Sequence, residues 1–334
     1  MNRRRRIPAS LVSVWVLALL IFLVAVPANS YLVNLAAPNQ PIHWSLYSFP
    51  IQWNINPSTS GVQISGSQPV TAVIQAAFNT WETAPNTNLP VSQGSNSSVT
   101  SESNSPGTIN LVCFVCSGGD FDEGTDTLAV TMFTYATASG QSDLHGGKTQ
   151  FAGQMLKADI LFNPAVAFTT DSGAATGSVF DLRTVATHEV GHFFGLDHSA
   201  VVNAVMFPFC AGLREQLSYD DVAVISSLYP GNQTVGTGTI QGTVSFQDGG
   251  GVFGAHVFAA SVTGTNGYGG NIRSGPIGAL TLPDGTYTLT GLPADSYTIT
   301  VQPLSGPVTN GQIGAYASVF GQTTVQTDFT ARQH

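Results

Sequence analysis

His188, Glu189, His192 and His198 are the residues of this chain whose types and spacing can do chemistry. His188 and His192 are four residues apart, so on an α-helix their rings stack on one face and can offer nitrogens to one metal ion. Glu189 lies beside the first of them, placed to take a proton from water activated by that metal. Gly195 permits the left-handed turn that ends a helix and swings the chain back, which delivers His198 as a third ligand. Three protein ligands leave one tetrahedral position open, the arrangement of a catalytic rather than a structural zinc. We therefore expect one catalytic zinc and no organic cofactor.

The elements that must position these groups can be read around them. Asp181 stands where an N-cap belongs, and Leu182, Val185, Ala186, Phe193 and Phe194 give apolar faces to a helix from about 182 to 194. Ile51 to Ile55 alternates as a strand, and 69–83 reads as a helix burying Val70, Val73, Ile74, Ala77, Phe78 and Trp81. Residues 91–106 are a Ser- and Asn-rich loop. Leu111 to Val115, Thr127 to Thr134 and Ala158 to Phe162 read as core strands. Ser218 caps a last helix, Tyr219 to Leu228, with Asp220 and Asp221 in the first turn, where the helix dipole favours negative charge.

The 334 residues suffice for two domains with separate cores. After Tyr229-Pro230-Gly231 the texture changes. Residues 232–238 read as a linker, and from Thr239 onward helical periodicity is absent. Alternating runs are expected as strands at 239–246, 255–260, 286–290, 297–302, 315–320 and 323–330, separated by Gly, Pro and Asp-Gly turns.

Arg3 to Arg6, the apolar run Leu11 to Val26 and the small residues at 26–30 have the pattern of an export signal. A secreted protein is the expectation; left uncleaved, the same segment would tether it outside the cell. The formal net charge is −9, with 10 basic and 19 acidic residues. Without the four leader arginines it is near −13, which argues against nucleic acid or an anionic membrane as partner. Three cysteines suit an exported protein with one disulfide and a spare thiol. We expect Cys210 to pair with Cys113 or Cys116; the Cys113-x-x-Cys116 spacing also allows a redox pair or half a zinc knuckle.

Six segments, taken in order, resemble the matrixin branch of the metzincin metallopeptidases over about residues 45–230. IQWNINPS with AAFNTWE is similar to the family's first strand and helix. KADILFN, Lys157 to Asn163, is similar to its edge strand, against which peptides are laid. HEVGHFFGLDHS is similar to its extended zinc motif, with Ser199 after the third histidine. VMFP, Val205 to Pro208, is similar to its Met-turn, and LSYDDVAVISSLYP to its closing helix.

The resemblance implies His188, His192 and His198 as zinc ligands, Glu189 as general base, and Met206 as the apolar floor beneath the metal. Phe207 lacks the hydroxyl with which some metzincins approach zinc. Asp143 and His145 are too few for the structural zinc of vertebrate members, and no cysteine in 31–45 can act as the family's latency switch. The acidic run Asp120, Asp122, Glu123 and Asp126 could hold calcium or be a solvated loop. IQGTVSFQDGGGVFGAHVFA and DGTYTLTGLPADSYTITV resemble carboxypeptidase-regulatory-like, or transthyretin-like, sandwiches, a likeness that assigns no chemistry.

The expected architecture is thus a signal at 1–30 and an α/β (α+β) metzincin catalytic domain at 31–231, with a mixed twisted sheet and an active-site helix. A linker at 232–238 and an all-β sandwich at 239–334 follow. The expected function is secreted zinc endopeptidase, a monomer acting on protein or peptide substrates laid along Ala158 to Phe162. The rival readings are a surface binding or adhesion protein with an inactive zinc domain, and a zinc hydrolase acting on a non-peptide bond.

Overall fold

The computed structural model describes residues 32–102, 107–117, 121, 127–210, 212–314 and 316–334. The export-signal segment, the four residues of the acidic run and Ala315 lie outside the described residues.

A short hairpin, β1 (Leu35–Ala37) and β2 (Gln40–Pro41), precedes β3 (Ile51–Asn56), β4 (Ile64–Ser65) and helix α1 (Val70–Glu82). Strands β5 (Val91–Gln93), β6 (Leu111–Cys113), β7 (Ala129–Tyr135), β8 (Met155–Phe162), β9 (Ala167–Thr169) and β10 (Val179–Asp181) lead into α2 (Leu182–Phe193). The main sheet has five strands in the order β5-β3-β6-β8-β7, all parallel except β7, which runs antiparallel to β8. Helices α1 and α2 pack together, and Phe78 of α1 stacks on Trp53 of β3 at 4.7 Å and meets Phe193 of α2 edge-on at 5.2 Å. The Trp81 indole N–H donates to the Thr187 carbonyl and that of Trp44 to the Phe193 carbonyl, both at 2.8 Å. Burying two tryptophans with their one polar group satisfied fixes α2 against the rest of the core.

Three expectations fail here. The loop expected at 91–106 opens instead with β5, because Val91 to Gln93 pair in parallel with Ile51 to Trp53 of β3. The KADILFN segment is not an edge strand: β8 lies between β6 and β7, and β7 is the edge. The physical reason is in the residues, since Lys157 to Phe162 are buried throughout, as a strand covered on both faces and both sides requires, whereas most of β7 is half-buried or exposed. Cys210 does not pair either. Cys113 and Cys116 form a disulfide with Cα atoms 5.7 Å apart, because the chain turns back on itself just after β6, and Cys210 is an exposed free thiol.

Helix α3 (Tyr219–Leu228) has the Ser218 cap expected of it. Beyond it come β11 (Thr237–Thr243), β12 (His256–Ser261), β13 (Ile277–Leu280), β14 (Thr286–Pro293), β15 (Tyr297–Gln302), the single-turn helix α4 (Tyr316–Val319) and β16 (Arg332–Gln333). They form a two-stranded sheet, β11-β14, and a four-stranded one, β13-β12-β15-β16. The strand expected at 315–320 is instead α4, and 323–330 contains no strand.

The apolar core is continuous from α2 and α3 into this β-rich part: Val257, Ala259, Ile277, Ala279, Leu289 and Leu292 belong to the same buried cluster as Trp81 and Phe193. Polar contacts reinforce it. The Tyr219 hydroxyl donates to the Thr265 carbonyl at 3.0 Å, and Asn86 accepts from the backbone N–H groups of Thr234 and Val235. Among the described residues no helix is long and apolar enough to cross a membrane.

Candidate metal centre

Helix α2 begins where Asp181 accepts a hydrogen bond from the Thr184 N–H at 2.6 Å, and it ends in Gly195 at φ +93°. A Cβ at Gly195 would lie 2.0 Å from the Ile42 carbonyl oxygen, so glycine is demanded both by the left-handed backbone and by the close approach of the chain just after β2. The turn carries the chain back over the helix, and His198 meets His188 and His192. One ligand atom from each of the three rings lies within 4.8 Å of the others, the one such group of three among the described residues.

The ring orientations decide what this cluster can do. His188 Nδ1 faces the Val205 carbonyl at 2.8 Å, His192 Nδ1 the Leu196 carbonyl at 2.8 Å, and His198 Nδ1 the Gln312 carbonyl at 2.6 Å. A carbonyl can only accept, so each Nδ1 carries the proton and each Nε2 is left with its lone pair. His192 Nε2 and His198 Nε2 stand 3.3 Å apart. Two nitrogens about 2.0–2.1 Å from a tetrahedral zinc are separated by roughly that distance, so this pair of donors fits the ion, with the third ring nitrogen within 4.8 Å of both. Burial reinforces the neutral state of all three, helped at His188 and His192 by repulsion from neighbouring histidines: His188 is pushed down to about 3, His192 well below the ordinary imidazole value, and His198 down as well.

Glu189 is buried on the same helix, and burial pushes its carboxyl up to about 7. The Thr131 hydroxyl on edge strand β7 opposes that shift, donating to Glu189 Oε2 at 2.7 Å. Thr131 was not singled out in the sequence, because only the pairing of β7 with β8 brings it over α2.

Met206 Sδ would lie 2.2 Å from a Cβ at Gly191, so the glycine inside α2, beside His192, makes room for the methionine. The turn carrying Met206 is held from α3. Asp221 accepts from the N–H groups of Val205 (2.9 Å) and Met206 (3.2 Å), and from the Ser218 N–H and hydroxyl (each 2.7 Å). Val205 in turn supplies the carbonyl that orients His188. Asp220 accepts from the Ser199 hydroxyl at 2.5 Å and from the Gly278 N–H at 2.8 Å. The two aspartates expected to serve the helix dipole are thus buried structural acceptors.

Phe207 is buried, with the Arg214 guanidinium 5.3 Å from its ring centre. Arg214 also clasps the following loop by donating to the Phe209 and Val202 carbonyls. Asp143 does not reach the histidine cluster; its Oδ1 accepts from the His145 and Gly147 N–H groups in a local turn.

Residues 116–230 match the family model described as Matrixin. Karilysin of Tannerella forsythia is 42% identical over 59 residues, 18% of this chain and 12% of karilysin. The metalloendoproteinase 2-MMP of Arabidopsis thaliana is 28% identical over 168 residues, covering 50% of this chain and 38% of that protein. The hatching enzyme of Paracentrotus lividus is 35% identical over 130 residues, 37% of this chain and 22% of the enzyme. The chain therefore spans well under half the length of these relatives. The family match takes in the three histidines and ends before the β-rich C-terminal part begins.

Proposed function

We propose that the chain is a secreted zinc-dependent endopeptidase, with His188, His192 and His198 holding the metal, Glu189 as general base and Met206 as the apolar floor. The observation that carries this reading is the convergence of three imidazoles, each with Nδ1 engaged by a backbone carbonyl and Nε2 free. A zinc ion held there supplies Lewis acidity toward the scissile carbonyl and toward water. Glu189 accepts the proton that water gives up and passes it to the departing amine. Thr131 holds the carboxylate in place meanwhile. The substrate adds as an extended strand to the free edge of β7, where backbone groups await partners. In this reading the β-rich residues 237–334 form a sandwich domain entered through a short connection at 232–236, and residues 1–30 are an export signal.

The test is a purified full chain assayed on casein before and after a chelator, with metal content measured in parallel. One equivalent of zinc and chelator-sensitive cleavage are expected. Cleavage that survives complete removal of metal would overturn the reading.

A further inference from the structure

The third histidine differs from the other two in where its orienting carbonyl comes from. His188 and His192 use carbonyls 17 and four residues away, in the Met206 turn and at the end of their own helix. His198 uses Gln312, 114 residues on, in the β-rich part. That carbonyl is presented with care. Residues 310–312 form a single 3-10 turn in which Gln312 Oε1 accepts from the Thr309 N–H at 2.9 Å and from the Thr309 hydroxyl at 2.6 Å. The Gln312 N–H donates back to the Thr309 carbonyl at 3.0 Å.

Both flanks of the turn are anchored. Leu304, Val308, Ile313, Tyr316 and Ala317 are buried in one apolar cluster that also contains Leu32 and Phe207. Gly314 has φ +54°, and a Cβ there would fall 2.5 Å from Asp197 Oδ2. Asp197 precedes His198 and accepts its backbone N–H at 2.7 Å. The strap therefore passes over the His198 loop at a distance only glycine allows.

We infer that residues 304–314 are a working part of the metal site, with Thr309 and Gln312 as positioning residues that hold the Gln312 carbonyl against His198. The inference rests on the metal-centre reading above. Its physical basis is that a ligand on a loop has more rotational freedom than one on a helix, and the acceptor at Nδ1 fixes both its tautomer and its ring plane. Without that acceptor, the His198 ring turns and the three-nitrogen geometry loosens.

The experiment uses the full chain. Thr309→Gly/Gln312→Gly frees the turn without touching a buried apolar anchor, and Gln312→Leu removes the acceptor of both Thr309 bonds in case the double variant folds poorly. Zinc affinity is read by competition with a chromophoric chelator, and the ligand field by the visible spectrum of the cobalt-substituted protein. Zinc binding about 10-fold weaker is expected, at the low end of what loss of an orienting partner costs. An altered cobalt spectrum and an unchanged unfolding midpoint of the metal-free protein should accompany it. Thr309→Ser, which keeps the hydroxyl, should restore wild-type affinity. Variants that bind zinc as tightly as the wild type, with an unchanged cobalt spectrum, would overturn the inference. A wild-type chain that takes up no stoichiometric zinc would instead bring down the metal-centre reading beneath it.

Discussion

Among the described residues Glu189 is shifted upward by burial, and the Thr131 hydroxyl is the group that favours its charged form. Glu189→Gln keeps the shape of the side chain but cannot take a proton. Zinc content should stay at the wild-type level while kcat falls roughly 10²–10⁴-fold, the usual contribution of a general base; a variant with near-normal turnover would remove Glu189 from the mechanism. Thr131→Val tests the hydroxyl. A net hydrogen bond of about 0.5–1.5 kcal/mol corresponds to roughly 0.5–1 pH unit. Losing it raises the carboxyl value further, and the base works only when deprotonated, so the acidic limb of the kcat/KM profile should move to higher pH by that amount. An unmoved limb would mean that the bond positions the carboxylate without tuning it.

At the scale of elements, the metal helix contains a glycine that helix propensity alone would disfavour. Ala in place of Gly inside a helix ordinarily stabilises by about 0.5–1 kcal/mol. At Gly191 the added methyl would lie 2.2 Å from Met206 Sδ and 2.8 Å from the Trp81 ring, and Trp81 is tied to the Thr187 carbonyl. Gly191→Ala should therefore destabilise the metal-free protein, by roughly 1–3 kcal/mol in denaturant titrations. A stabilised variant would show that the space beneath α2 is slack. Position 191 shows how a local rule broken in the sequence marks a tertiary contact. Where the rules are kept, elements were legible: α1, α2 and α3 lie within about a residue of the limits that apolar spacing and caps set. Strand β13, Ile-Gly-Ala-Leu, escaped because four buried residues have no alternation to read. Helix α4 falls where the sequence reads as a strand, because one turn is too short to show a period of 3.6. The β7 edge could have been read from Thr131 to Tyr135, whose mixed polarity suits a half-exposed strand, against Ala158 to Phe162, apolar but for Asp159, which is buried against Lys157. Thr131 and the Gln312 carbonyl had no local signal, since each reaches the site only through long-range pairing.

At the scale of the whole molecule, the histidine loop and the β-rich part meet through buried polar groups as well as apolar ones, and that junction should respond to acid. Ser199, next to His198, donates to Asp220, which also accepts the Gly278 N–H of β13. His256 of β12 is buried beside Gly278; its Nδ1 lies 3.3 Å from Gln302 Nε2, and its Nε2 is a buried nitrogen without a hydrogen-bond partner. Burial pushes His256 down to about 4, and burial together with neighbouring Asp221 pushes Asp220 up to about 7. The two act with opposite sign. Between pH 7 and 4 the unfolded chain gains a proton on His256 that the folded chain refuses, so acidification weakens the fold; over the same range the folded chain holds a proton on Asp220 that the unfolded chain has released, so acidification favours the fold. A wild-type stability curve mixes both, and comparison with His256→Gln, which cannot titrate, isolates the first. From pH 7 to pH 4 the wild type should lose about 3 kcal/mol relative to the variant, from roughly two to two and a half pKa units at 1.36 kcal/mol each. The loss should begin as the pH falls below about 6.5 and be complete near 4. Urea titrations of both proteins, metal-free, across that range would measure it, and a difference that stays flat with pH would mean that His256 is protonated in the fold or reached by water.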